Sequence, residues 1–302
     1  MFQLFKSLQL YTAKLKVWLL PCILIIVIII SFINIDVNQI EQATPNINHQ
    51  QVVVNPGKFQ VIYSPLQRES SISIQNRFKQ DKSFETVAEV LSKMFVMPRD
   101  INIIMGDCGF VNAYYKPSNH SIYMCYEIME SFIDRFVKYY KGNGLDINQH
   151  PISEEIAQRV SGTMIFTFFH ELGHLLIGEL DLPVIGKEED AVDEFATLLL
   201  AKLGQDKALL AAALQFAVAG NREMNVINQN LHFWEEHSLS VQRFYSLVCL
   251  VYGKEKQRYA ALVEDLSIPN LRKRKCEIEY QRKLKSWHTL LEPYLQNSVE
   301  FL

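Results

Sequence analysis

The segment "FFHELGHLLIGELDLPVIGKEEDAVDEFA", residues 168–196, places His170 and His174 four positions apart and follows them, after a short spacer, with five acids between Glu188 and Glu194. On a helix, side chains at i and i+4 lie on one face. Two imidazoles so placed supply two of the ligands that a tetrahedral zinc shell needs at ~2.0–2.1 Å. Glu171 follows His170 and is rotated from it by ~100°. It can stand beside the open metal position without ligating, and there take a proton from water as a general base. The bland alternative is a pair of core histidines. The flanks argue against it: "TMIFTFF" precedes the motif and "LLIGEL" follows it, and burying two imidazoles and a carboxylate in such a helix without compensation costs several kcal/mol. Gly173, lacking a side chain, would let a neighbouring helix approach closely.

A catalytic zinc site usually has three protein ligands and one open position. No third histidine continues the motif, because the residue six after His174 is Leu180. The acidic cluster offers the alternative. Glu189 and Asp193 are themselves i and i+4, so the glutamate can ligate while the aspartate accepts a hydrogen bond from the far nitrogen of a ligating histidine. Glu188 competes with Glu189 for the ligand role. Glu188 and Asp190 flank Glu189 at ~100° to either side, near a helix start where acids also favour the macrodipole. Glu194 has only Asp190 in register, a repelling pair. The resulting assignment is His170, His174 and Glu189 as metal ligands for one Zn²⁺, Glu171 as catalytic base and Asp193 behind a histidine.

The pattern HExxH followed by ExxxD on the next helix resembles the gluzincin metallopeptidases, of which thermolysin is the familiar example. The spacer of 14 residues between His174 and Glu189 is similar to that of small gluzincin-like domains. Together with "MGDCGFVNAYYKPSNHSIYMCYE", "EEHSLSVQRFYSLVCLVYG" and "KCEIEYQRKLKSWHTLLEPYL", it resembles a bacterial family of metallopeptidase-like proteins without established substrates, over about residues 58–295. The resemblance implies a zincin-like, gluzincin fold and peptide-bond hydrolysis. Gluzincins commonly place a downstream histidine or tyrosine on the tetrahedral oxyanion. "WEEHSLSVQRFY" contains Glu236, His237, Arg243 and Tyr245, and His237 is the residue that fits this role, against a structural histidine. Zincins also bind peptide along an exposed sheet edge by strand addition; by analogy "SIYMCYE" is that edge, with Asn112 and Tyr114 as cleft-lining candidates. The competing function is a zinc-binding but non-catalytic module for binding or assembly at the cell surface, in which Glu171 would have no use.

The elements that must position these residues read as an α+β domain, predominantly helical, with a small early β-sheet. Strand-like runs occur at 58–64, 100–109 and 121–129, and helical spacing appears at 83–98. The longest helical stretch is 152–180, with Ser153 as its N-cap and Ile156, Val160, Met164 and Phe168 on one stripe. Further helices follow at 188–204, ending at Gly204, and at 205–220.

Ahead of this domain (58–302), residues 17–35 lack charge and cover roughly 28 Å as a helix, most of a ~30 Å hydrocarbon core. Lys6, Lys14 and Lys16 precede the run and Asp36 and Glu41 follow it. That asymmetry predicts a cytoplasmic N-terminus (1–16), an uncleaved transmembrane signal anchor (17–35), a polar linker (36–57) and an extracytoplasmic domain, periplasmic or at the cell surface. A cleaved signal peptide and a buried helix are the alternatives. Export suits the cysteines. Cys22 lies in the apolar run, and Cys108, Cys125, Cys249 and Cys276 form an even set that an oxidising compartment would pair. Chain locality favours Cys108–Cys125, across a hairpin-like unit, and Cys249–Cys276, against free buried thiols. The net charge of −3 singles out no partner class, and the short "RKRK" run at 272–275 reads as a solvated face rather than a nucleic-acid site. The expected partners are a protein or peptide substrate and the membrane.

Overall fold

A computed structural model describes residues 55–66, 68–225 and 234–296. The expected transmembrane anchor at 17–35, the residues ahead of it and most of the linker lie outside the described residues. The chain divides into two compact units.

The first unit holds the sheet and takes in the described chain up to Glu127, Leu175–Leu182 and the end of the chain from Ser286. Its strands are β1 (Phe59–Tyr63), β2 (Ile101–Gly106), β3 (Ala113–Lys116) and β4 (Ser121–Cys125), in the order β1-β2-β4-β3. Between β1 and β2 the chain makes helices α1 (Ser70–Asp81) and α2 (Ser83–Met94), the crossover that parallel neighbours require. β1, β2 and β4 are mutually parallel, and β3 alone runs antiparallel, against β4. The core of the sheet comes from fully buried Ile101, Ile103 and Met105 on β2, facing in register Ile122 and Met124 on β4.

Two expectations change here. "SIYMCYE" is not a sheet edge: β4 is hydrogen-bonded on both sides, and the edges are β1 and β3. The burial of β4 is nearly continuous, as an interior strand with both faces covered demands. Cys108 and Cys125 do pair, with Cα atoms 5.4 Å apart, but across the parallel β2 and β4 rather than across a hairpin. Glu127 accepts the backbone N–H groups of Cys108 and Gly109, which ties the turn after β2 to the end of β4. Tyr114 of β3 stacks on Tyr123, with ring centroids 4.8 Å apart.

The second unit is helical and comprises, among the described residues, Ile128–His174 and Pro183–Lys285. Helix α3 (Tyr126–Gly142) leads into α4 (His150–Leu180), then α5 (Glu188–Lys202), α6 (Asp206–Asn225), α7 (Ser240–Lys254), α8 (Lys256–Asp265) and α9 (Asn270–Leu291). α4 is long and apolar enough to cross a membrane, but 78% of its apolar window is buried within the protein, so it is a core helix. Ile156, Val160, Met164 and Phe168 are all buried along it, as their spacing predicts. Ser153 does not cap it: the helix starts at His150, and the Ser153 hydroxyl donates back to the His150 carbonyl. α5 ends where Gly204 takes a positive φ of 66°, the conformation a helix stop favours. A second disulfide, Cys249–Cys276, joins α7 to α9 with Cα atoms 5.0 Å apart. Within "RKRK", Arg272 and Lys273 meet Glu279 and Glu264.

Candidate metal centre

The candidate site lies within the helical unit, on α4, α5 and the segment leading into α7. α4 carries both histidines on one face, and α5 starts only 14 residues after His174, so its acidic first turn is delivered beside them. Gly173 makes the approach close. A Cβ there would lie 2.8 Å from Val192 on α5, nearer than real side chains come, so no larger residue would let the two helices meet at this spacing.

The Nε2 atom of His170 is 3.1 Å from Glu189 Oε2, and that of His174 is 3.4 Å from Glu189 Oε1. One donor atom from each of the three residues lies within 4.8 Å of the other two, a spacing that a single ion can bridge. On the far side of each ring the Nδ1 atom is held by a carboxylate: Asp193 at 2.8 Å from His170, and Glu188 at 2.7 Å from His174. With the Nδ1 protons donated to those acids, both Nε2 atoms turn lone pairs towards Glu189. Lone pairs facing a carboxylate repel unless a cation or proton stands between them. Consistent with that geometry, Glu189 Oε2 is buried and accepts no hydrogen bond, although two imidazole nitrogens lie about it. A buried acceptor of this kind is costly to leave unmatched, and the donor set of two imidazoles and a carboxylate is one that zinc favours.

Without metal, protons meet the same demand. Burial pulls the His170 pKa down, but the hydrogen-bonded Asp193 and the facing Glu189 carboxylate outweigh it and raise it to about 9. His174 is also raised, against burial, by Glu189 and Glu188. Glu189 is held far below the carboxylate range: burial favours its neutral form, and the three surrounding imidazoles overcome that. Asp193 is lowered to about 2, because the Arg243 guanidinium and His170 outweigh the burial of its charge. Glu171 is buried, and its charge raises the pKa of both histidines.

His237 reaches the group from the chain ahead of α7. Its Nε2 is 2.8 Å from Glu189 Oε2, its ring lies nearly parallel to that of His170 at 6.1 Å, and its side chain is half-exposed. The structure thus brings His170, Glu171, His174, Glu189, Asp193 and His237 together. Two participants were not given roles by the sequence. Glu188, weighed only as a rival ligand or a helix-start acid, holds His174. Arg243 grips Asp193 with two hydrogen bonds, Nε to Oδ2 at 2.6 Å and Nη2 to Oδ1 at 2.7 Å. The other two acids have local duties: Asp190 accepts from Ser238 at 3.0 Å, and Glu194 pairs with Lys283.

Residues 63–291 match the model of the family DUF4344, whose description reads "Putative metallopeptidase". The chain belongs to this family. The matched stretch covers every residue of the group from His170 to Arg243, so the family's description and the convergent donor atoms concern the same part of the chain. Membership in DUF4344 points to a metal-dependent peptidase acting on protein or peptide substrates. No curated protein and no solved structure matches the chain.

Proposed function

We propose that this DUF4344 member is a zinc metallopeptidase of the gluzincin type, with His170, His174 and Glu189 as ligands and Glu171 as general base. The observation that carries this reading is the directed geometry of the ligand group: each histidine has its Nδ1 occupied by a carboxylate and its Nε2 turned towards Glu189. Zinc held there would supply Lewis acidity, lowering the pKa of a water and polarising a peptide carbonyl. Glu171, buried on the same helix and between the two histidines in sequence, would act as the general base that takes the proton from the attacking water and passes it to the leaving amine. Asp193 and Glu188 fix the two imidazole tautomers. His237, half-exposed beside Glu189, is positioned to donate to charge that develops on the carbonyl oxygen.

Glu171→Gln is expected to abolish peptide hydrolysis while a full equivalent of zinc stays bound. Retained turnover would remove the base assignment. Full zinc loading with no hydrolysis of a broad peptide library by the wild type would favour the non-catalytic binding module instead.

The catalytic domain (58–302) is further proposed to be extracytoplasmic and tethered by the anchor at 17–35. The two disulfides support this, since such bonds persist in oxidising compartments. A topology reporter fused after Leu302 tests it: activity on the cytoplasmic side would overturn the placement.

A further inference from the structure

The segment from Glu235 to Arg243 touches the start of α5 at Lys187, Glu189, Asp190 and Asp193. Lys187 donates to the Glu235 carbonyl at 3.1 Å, His237 meets Glu189, Ser238 donates to Asp190, and Arg243 takes both oxygens of Asp193. Ser240 anchors the same segment on the other side, its backbone N–H donating to Glu223 at 2.9 Å. Arg243 is the deepest of these contacts. Its guanidinium lies over the Phe216 ring at 4.3 Å, and Phe216 packs edge-on against Phe166, one turn before His170 on α4. The plane of the fork is therefore set from two sides, by the aromatic face and by the carboxylate.

Asp193 has two oxygens and three donors. Oδ2 is given wholly to Arg243, while Oδ1 is shared between Arg243 and the His170 Nδ1 atom. A bidentate arginine fixes a carboxylate in both position and plane, which a lysine's point charge does not do. It follows that the direction of Oδ1, and with it the rotation of the His170 ring, depends on Arg243.

We propose that Arg243 is a positioning residue of the metal centre, acting through Asp193 to hold the His170 imidazole in its ligating tautomer and orientation. This rests on the metal-site reading above. The hydrogen bonds of Arg243 go to Asp193 and not to the ligand atoms, so in this role its effect appears in metal affinity and passes through Asp193.

The test is zinc affinity of the full chain, measured by chelator competition, for wild type, Arg243→Met, Arg243→Lys, Asp193→Asn and the double variant Arg243→Met/Asp193→Asn. Outer partners of this kind typically govern ~10–100-fold in metal affinity. Arg243→Met is expected to lose that much, and Arg243→Lys, which keeps the charge without the fork, roughly tenfold or less. In the Asp193→Asn background, Arg243→Met is expected to cost nothing further. Unchanged affinity in Arg243→Met, or a loss that adds in full to that of Asp193→Asn, would overturn the proposal. Should Arg243→Met fail to fold, Arg243→Lys decides: wild-type affinity in the folded lysine variant also overturns it. A wild-type chain that binds no zinc would instead remove the metal site itself, and the inference with it, so the two failures are told apart by the wild-type titration alone.

Discussion

His170 and His174 sit one turn apart on the same helix and make the same pair of contacts, Nε2 towards Glu189 and Nδ1 towards a carboxylate, yet their surroundings differ sharply. The carboxylate behind His170 belongs to Asp193, whose side chain is 13% exposed and is itself gripped by Arg243. The one behind His174 belongs to Glu188, 48% exposed, on the first residue of α5. Hydrogen bonds to charged groups strengthen as water is excluded and weaken where solvent and salt can compete. One histidine is therefore fixed by a buried chain of contacts, the other by an exposed and replaceable one. The candidate metal site built this way has a rigid side and an adjustable side.

The largest effect that would sharpen this comparison is loss of the shared ligand. Glu189→Ala is expected to reduce bound zinc well below one equivalent, whereas Glu188→Ala keeps the metal. Metal analysis of the purified variants checks both, and zinc loss in Glu188→Ala alone would exchange the two assignments.

Next comes the contrast between the two outer carboxylates. Asp193→Asn is expected to weaken zinc binding by ~10–100-fold and also to destabilise the fold by about 3–5 kcal/mol, because it leaves Arg243 buried without its counter-charge. Glu188→Gln is expected to cost tenfold or less in affinity, with little change in denaturant midpoint. Equal losses at the two positions would break the comparison.

A smaller effect reads out the buried side, His170 with Asp193, by pH in the metal-free protein. His170 has a folded-state pKa of about 9, above the ordinary histidine value of ~6.5. Its protonated form therefore favours the folded chain, and its contribution is complete below about pH 6.5 and lost as the pH rises through 9. Asp193 has the opposite sign: lowered to about 2, it contributes fully above about pH 4 and loses that contribution as the pH falls towards 2. Urea midpoints across pH 2–10 in the presence of chelator should show both flanks, and Arg243→Met should move the acid flank upward. A flat alkaline flank would contradict the protonated His170.

The convergence of His170, His174 and Glu189 was legible because its information is local. HELGH and ExxxD are each read within one helix, where a period of 3.6 places i and i+4 on one face whatever the rest of the chain does. Glu188 was misjudged by the same logic. Face counting makes it a poor partner for Glu189's metal, but a long side chain at the first turn can reach the neighbouring histidine instead. Nothing local marks Arg243, which lies 50 residues from the aspartate it grips. The cysteine pairs followed from chain proximity, while the strand geometry around Cys108 and Cys125 did not. A run such as "SIYMCYE" reads equally as edge or interior strand until its neighbours are known; only its nearly unbroken apolar character hinted at two covered faces.

By itself the sequence determined the helical period that aligns His170 with His174 and Glu189 with Asp193, the apolar stripe that buries α4, and the Gly173 gap that lets α5 approach. These depend on backbone geometry and side-chain size within a dozen or so residues. Only the tertiary structure decided which carboxylate stands behind which histidine, that Arg243 and His237 return to the site from beyond α6 in the chain, and that β4 is an interior strand rather than an edge. Those outcomes depend on how separate elements pack, and packing is settled by the joint burial of residues far apart in the chain, which no local pattern encodes.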